Sequence, residues 1–168
     1  MTKCPENCVR DCNDCAEGVR DPWLAILDER VKKLHNDQHF CCSQTVLSIG
    51  MERLGMNDPD LLRAMTGYCG GACGGVCGAL AGGCALIGLY LGKGTAEEPR
   101  RDIMGECACE LTETFRAYWK HVTCEDLVHD DPELRRVTCP SLMAGTVEMV
   151  WGILHEKGID LDKRIFKK

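Results

Sequence analysis

Aromatic side chains are scarce, at 5% of 168 residues, and basic residues are outnumbered, with 20 Lys and Arg against 26 Asp and Glu. A net charge of −6 and few rings exclude nucleic acid as the main partner, because phosphate binding wants a basic face and base stacking wants aromatics. No Gly-Lys-Ser/Thr follows the glycine-rich stretch, so there is no P-loop. No Cys-x-x-Cys-His occurs, which excludes covalent c-type haem. No Ser-His-Asp arrangement can be traced. The first residues, Met1 to Cys8, carry no apolar core and no small-residue cleavage site, so no signal peptide is expected and a cytoplasmic location is. Residues 64–92 hold no charged side chain, yet ten of these 29 residues are glycine and only 84–91 is strongly apolar, too short to cross a bilayer. No membrane span is expected.

Sulfur and glycine are in excess, at 14 Cys and 18 Gly. Dense cysteine means either a secreted disulfide scaffold or thiols for metal and redox chemistry in a reducing compartment. A chain of this length buries a core without staples, which favours metal or redox thiols.

Apolar spacing predicts an all-α fold, a helical bundle around a glycine-rich central helix. Asp21-Pro22 reads as an N-cap with proline at the first helical position, opening a helix over 22–36. Further helices are expected over 41–54, from Asp58-Pro59 to Met65, and over 76–91, the last entered by a loop from Gly67 to Gly75. Thr95 and Glu98 have capping-box spacing ahead of a helix ending near Val122, and Pro99 allows its start a few residues later. A short helix follows Thr123 and breaks at Asp130-Asp131-Pro132. Cys139-Pro140 is read as the opening of the last long helix, which stops at Gly158. Residues 1–20 form a separate Cys-rich segment ahead of a helical domain over 21–168.

That segment places Cys4, Cys8, Cys12 and Cys15 at C-x3-C-x3-C-x2-C spacing. Four thiolates within twelve residues can wrap one zinc or one [4Fe–4S] cluster, and the spacing matches neither the usual zinc knuckle nor the ferredoxin run. Their local closure predicts a centre independent of the body. In the body, Cys42, Cys77, Cys124 and Cys139 all fall at expected helix starts, where free N–H groups favour anionic sulfur. They are expected to converge on one site. Cys84, seven residues after Cys77, shares its face of an ideal helix and is a candidate additional ligand. Cys41 and Cys42 are adjacent and cannot both point into that site. Cys107 reads as a small core residue in mid-helix. His35, His39 and His121 read most simply as surface groups.

The run Cys77-Gly78-Ala79-Leu80-Ala81-Gly82 carries a CGAxxG motif, and here the chain resembles the C_GCAxxG_C_C family of redox-active proteins. Cys42-Ser43-Gln44-Thr45-Val46-Leu47 is similar to that family's first-cysteine motif, and Cys124 and Cys139 follow in its order. The resemblance spans about 38–155 and implies a redox or metal-binding role for Cys42, Cys77, Cys124 and Cys139. A related domain in split-Soret cytochromes implies an iron–sulfur centre and is compatible with a homodimer. Cys41, Cys69, Cys73, Cys84, Cys107, Cys109 and the N-terminal set depart from the pattern. The expected function is electron transfer with a redox protein as partner. Alternatives are a thiol–disulfide oxidoreductase using Cys107/Cys109 or Cys73/Cys77, and a module that binds a soft metal such as zinc or copper.

Overall fold

The computed structural model describes residues 21–164. The Cys4, Cys8, Cys12 and Cys15 set lies outside the described residues. Within them the fold is all-α, and the only β-type pairing is an isolated antiparallel bridge between Val76 and Thr123.

Three of the helix starts follow from one chemical device, an aspartate followed by proline. Asp21 accepts from the Trp23 amide at 3.0 Å and opens α1 (Pro22–Ala25). Asp58 accepts from Leu61 at 3.0 Å and opens α4 (Pro59–Ala64). Asp131 accepts from Glu133 at 2.8 Å and Leu134 at 3.2 Å and opens α8 (Pro132–Glu156). The carboxylate satisfies orphan amides at the first turn, and the proline loses no helical bond there.

The expected single helix over 22–36 is three pieces. A break at Ile26 separates α1 from α2 (Leu27–Val31), which loosens into a π-helical turn over Lys32–Asp37. Between α3 (Cys42–Arg53) and α5 (Gly78–Leu91) the chain runs through α4, a 3₁₀ turn over Met65–Gly71 and a glycine loop. Helix α6 (Asp102–Trp119) takes the later start that Pro99 allows. The Glu98 carboxylate instead accepts from the Gly94 and Thr95 amides and closes the preceding loop. Helix α7 (Cys124–Val128) is capped by the Thr123 hydroxyl, which accepts from Asp126 at 3.2 Å.

The clearest correction concerns α8. It starts at Pro132 and runs through Pro140 rather than opening at Cys139-Pro140. Pro140 has no N–H for the Arg136 carbonyl, a cost of about 3 kcal/mol in an isolated helix. Burial of Leu142, Met143, Val147, Val150 and Leu154 beyond it offsets that cost. By length and composition α8 could cross a membrane, but half of its apolar window is buried in the bundle.

Helix α5 is the axis, in contact with α3, α6 and α8. Its close approach to α3 depends on missing side chains. A Cβ on Gly82 would lie 2.7 Å from the Ser43 carbonyl oxygen and 3.0 Å from the Ser43 Cα. A Cβ on Gly83 would meet Thr146 at 2.6 Å and Leu111 at 2.8 Å. At the far end of α3 the Arg53 guanidinium is 6% exposed, bonded to Asp21 at 2.6 Å and Asp162 at 3.0 Å, and stacked 4.7 Å over Trp151. This one side chain joins both ends of the described chain to the bundle.

Candidate metal centre

The site lies at the end of the bundle where α3 and α5 begin. Cys42 is the first residue of α3, with Cys41 at its N-cap. The Cys41 amide donates to the Gln44 side chain at 3.2 Å, and the Gln44 amide group donates to the Leu62 carbonyl and the Thr66 hydroxyl, both at 3.0 Å. This fastens the start of α3 to the segment leading into the glycine loop.

Cys77 caps α5 and Cys124 opens α7. The two are held together by backbone. The Cys77 amide donates to the Val122 carbonyl at 2.8 Å, and the Cys124 amide donates to the Gly75 carbonyl at 2.7 Å, on either side of the Val76–Thr123 bridge. Cys139 comes from the eighth residue of α8, so only three of the four cysteines are helix starts. The helix-end field therefore does not account for Cys139.

Cys42, Cys77, Cys124 and Cys139 line one small pocket of about 20 Å³ with Gly78, Ala79, Leu127, Val128 and Leu142. That is room for about one water. Cys42, Cys124 and Cys139 also form part of the wall of an open cleft of about 340 Å³, which is shared with Arg135, Arg136 and His35. The thiols thus stand between a small apolar floor and a wider basic mouth. Among the described residues, no three of His, Cys, Asp and Glu close tightly enough to hold one metal ion.

Both CGAxxG glycines have a steric reason. A Cβ at Gly78 would lie 2.7 Å from the Tyr68 carbonyl oxygen and would collide with the Cys42 sulfur. Gly82 admits the α3 backbone as described above. In the entry loop, Gly71 has φ +78°, and a Cβ there would come within 2.8 Å of the Cys124 Cβ. The motif lets two helices and a loop close around sulfur.

Burial pushes the Cys77 thiol up to about 11, and backbone amides at the start of α5 only partly oppose it. Burial and then the neighbouring Cys42, Cys77 and Cys124 push Cys139 up to about 12. Burial also raises Cys124, against the Arg135 cation, which lowers it. Burial thus favours the protonated form of Cys77, Cys124 and Cys139, and holding them as thiolates needs a cation beside them. Arg135 pairs with Asp130, while its Nε is buried with no hydrogen-bond partner among the described residues.

The other cysteines go elsewhere. Cys84 is about two turns along α5, and its surroundings are Thr112 and Cys109 of α6. Cys84 shares a helical face with Cys77, but seven residues of helix carry its sulfur roughly 10 Å along the axis. Cys107 is fully buried in the core, and Cys109 is exposed. Cys73 is exposed while Cys77 is buried. Neither Cys107–Cys109 nor Cys73–Cys77, the pairs of the alternative thiol–disulfide reading, is bonded. The bonded pair is Cys41–Cys69, which sequence reasoning missed. Its one signal was the adjacency of Cys41 and Cys42, which forces Cys41 to turn away from the cavity. His35 Nδ1 lies 2.7 Å from the Phe40 carbonyl oxygen, so it supports the turn before α3.

The family model described as "Putative redox-active protein (C_GCAxxG_C_C)" matches residues 40–153. No curated protein and no solved structure matches the chain.

Proposed function

The chain belongs to the C_GCAxxG_C_C family of redox-active proteins, and on that premise we propose that it carries electrons on an iron–sulfur cluster bound by Cys42, Cys77, Cys124 and Cys139. The observation that carries this reading is the meeting of these four cysteines, from four helices, at one cavity. The donor set is all sulfur, which suits iron–sulfur clusters and soft metals and gives no purchase to magnesium or calcium. The small pocket cannot hold a cluster by itself, so the cluster would extend into the adjoining cleft, whose wall three of the four cysteines share.

The cluster would supply one-electron chemistry, and the protein would tune it through burial, charge and hydrogen bonds to sulfur. Leu127, Val128 and Leu142 keep water from the inner face. Arg135 favours the anionic form of Cys124 from the cleft side. Because the thiols come from four helices, loading couples to the fold of the whole bundle. Cys4, Cys8, Cys12 and Cys15 form a second centre in this proposal, a [4Fe–4S] cluster with zinc as the alternative. A redox protein is the proposed partner, and the cytoplasm the proposed location.

Anaerobic purification tests the reading. The expected protein is brown, with iron and acid-labile sulfide in similar amounts. Serine at Cys42, Cys77, Cys124 or Cys139 is expected to lower both the iron content and the stability, while Cys107→Ser keeps the iron. A colourless protein, or one carrying only zinc or copper, refutes it.

A further inference from the structure

Eight of the ten cysteines among the described residues are free thiols, and Cys41 and Cys69 are the bonded pair, with Cα atoms 5.8 Å apart. The bond is not needed to close the intervening loop. The buried Ser43 hydroxyl already donates to the Met65 carbonyl at 2.8 Å, and Gln44 already binds Leu62 and Thr66. The bundle also has a core of its own. The bond instead sits at an entrance. Cys41 lines the open cleft of about 340 Å³, and so does Gly70, the residue after Cys69. Both cysteines are half-buried, and Tyr68 beside Cys69 is exposed. Arg135 and Arg136 on the same cleft provide positive charge, which favours an attacking thiolate. The Ser43 hydroxyl lies 3.2 Å from the Cys69 sulfur and 3.5 Å from the Cys41 sulfur.

We propose that Cys41–Cys69 is a second redox site, a disulfide that exchanges two electrons with a dithiol of a partner molecule entering this cleft. The site goes beyond the four-cysteine centre and does not depend on that centre holding a cluster. In the reducing direction, one thiolate of the incoming dithiol attacks the Cys41 sulfur on the cleft wall. The Cys41–Cys69 bond breaks, and Cys69 leaves as a thiolate. The Ser43 hydroxyl turns from the Met65 carbonyl to donate to it. The second thiolate of the dithiol then attacks its own sulfur in the mixed disulfide, and Cys41 leaves. The dithiol ends as a disulfide, and its two protons end on Cys41 and Cys69. The reverse direction oxidises the pair and reduces a partner disulfide with the same balance.

The test uses the full chain in its native state, with dithiothreitol as the dithiol and glutathione disulfide as the disulfide. Differential alkylation and peptide mass spectrometry follow Cys41 and Cys69, and iron and sulfide are assayed in the same samples, so the two proposals fail separately. The pair is expected to open and re-form in folded protein, at a rate proportional to dithiol and unchanged by urea below the unfolding transition. Cys69→Ser is expected to trap glutathione on Cys41 at least tenfold more than Cys41→Ser traps it on Cys69. Ser43→Ala is expected to slow native reduction about tenfold, the loss of one hydrogen bond to a charged leaving group. Should the serine variants not fold by circular dichroism, the wild-type and Ser43→Ala rates decide. Opening only where urea unfolds the chain, failure of the reduced pair to re-form, or equal trapping at the two sulfurs overturns the proposal.

Discussion

Two glycines on one helix should respond to alanine in opposite directions. Gly82 and Gly88 both lie inside α5, and in a helix interior Gly→Ala is worth about 1 kcal/mol in favour of folding. At Gly88 an added Cβ meets nothing within 4 Å, so the substitution is expected to stabilise by roughly that amount. At Gly82 the added Cβ would lie 2.7 Å from the Ser43 carbonyl oxygen, where ordinary contact begins near 3.4 Å. The obstacle is α3 backbone, which cannot rotate aside as a side chain can, so α3 and α5 must separate by about 0.7 Å, the difference of those two distances. Overpacking of this kind costs about 1–3 kcal/mol. Subtracting the helix-propensity gain leaves Gly82→Ala neutral to about 2 kcal/mol less stable. The difference between the two variants cancels propensity and isolates packing, at about 1–3 kcal/mol. Urea denaturation of both variants at matched metal content measures it, since bound metal itself stabilises the native state. On the proposed cluster reading, Gly82→Ala should also lose iron, because Cys42 moves with α3 and Cys77 with α5. Equal stabilisation by both alanines would show that the α3–α5 contact is not closed as described.

Three further outcomes are expected. Burial raises the Cys77 thiol from 9.0 to about 11, so its stabilising contribution is fully present below pH 9 and is lost as pH rises through about 11. Two pH units correspond to about 3 kcal/mol. Urea midpoints of metal-free protein should fall across that window, and a flat profile contradicts the burial of Cys77. Arg53→Ala removes two ion pairs and a ring contact at a 6% exposed guanidinium, and should cost about 2–3 kcal/mol by thermal or urea unfolding. Arg53→Lys should recover less than half, because it lacks the planar fork. If the proposed clusters are present, a shortened chain beginning at Asp21 should fold and keep the body's share of the iron, and loss of all metal by a folded shortened chain would show that the two cysteine sets share one centre.

What the sequence by itself determined is local. Helical spacing of apolar residues made the fold all-α, and Asp-Pro pairs at 21 and 58 set two helix starts, because a short carboxylate and a missing N–H act within one turn; the same device at Asp131-Pro132 reads in sequence as a break and opens α8 in the fold. The C_GCAxxG_C_C pattern also set the family, with two glycines whose steric reasons are now visible at Gly78 and Gly82. Tertiary structure alone decided what depends on distant partners. Cys139 lies inside α8 because burial beyond Pro140 outweighs the proline's local cost. Thr95 and Glu98 have helix-capping spacing, but the Glu98 carboxylate closes a loop. Cys84 shares a helical face with Cys77, yet the neighbouring α6 claims it. The Val76–Thr123 bridge, which brings Cys77 beside Cys124, joins residues 47 positions apart with no strand pattern on either side. The Cys41–Cys69 bond likewise needed the packed glycine loop before its two sulfurs could meet. Spacing along one helix says which residues share a face, and only the packing of the other helices says what that face meets.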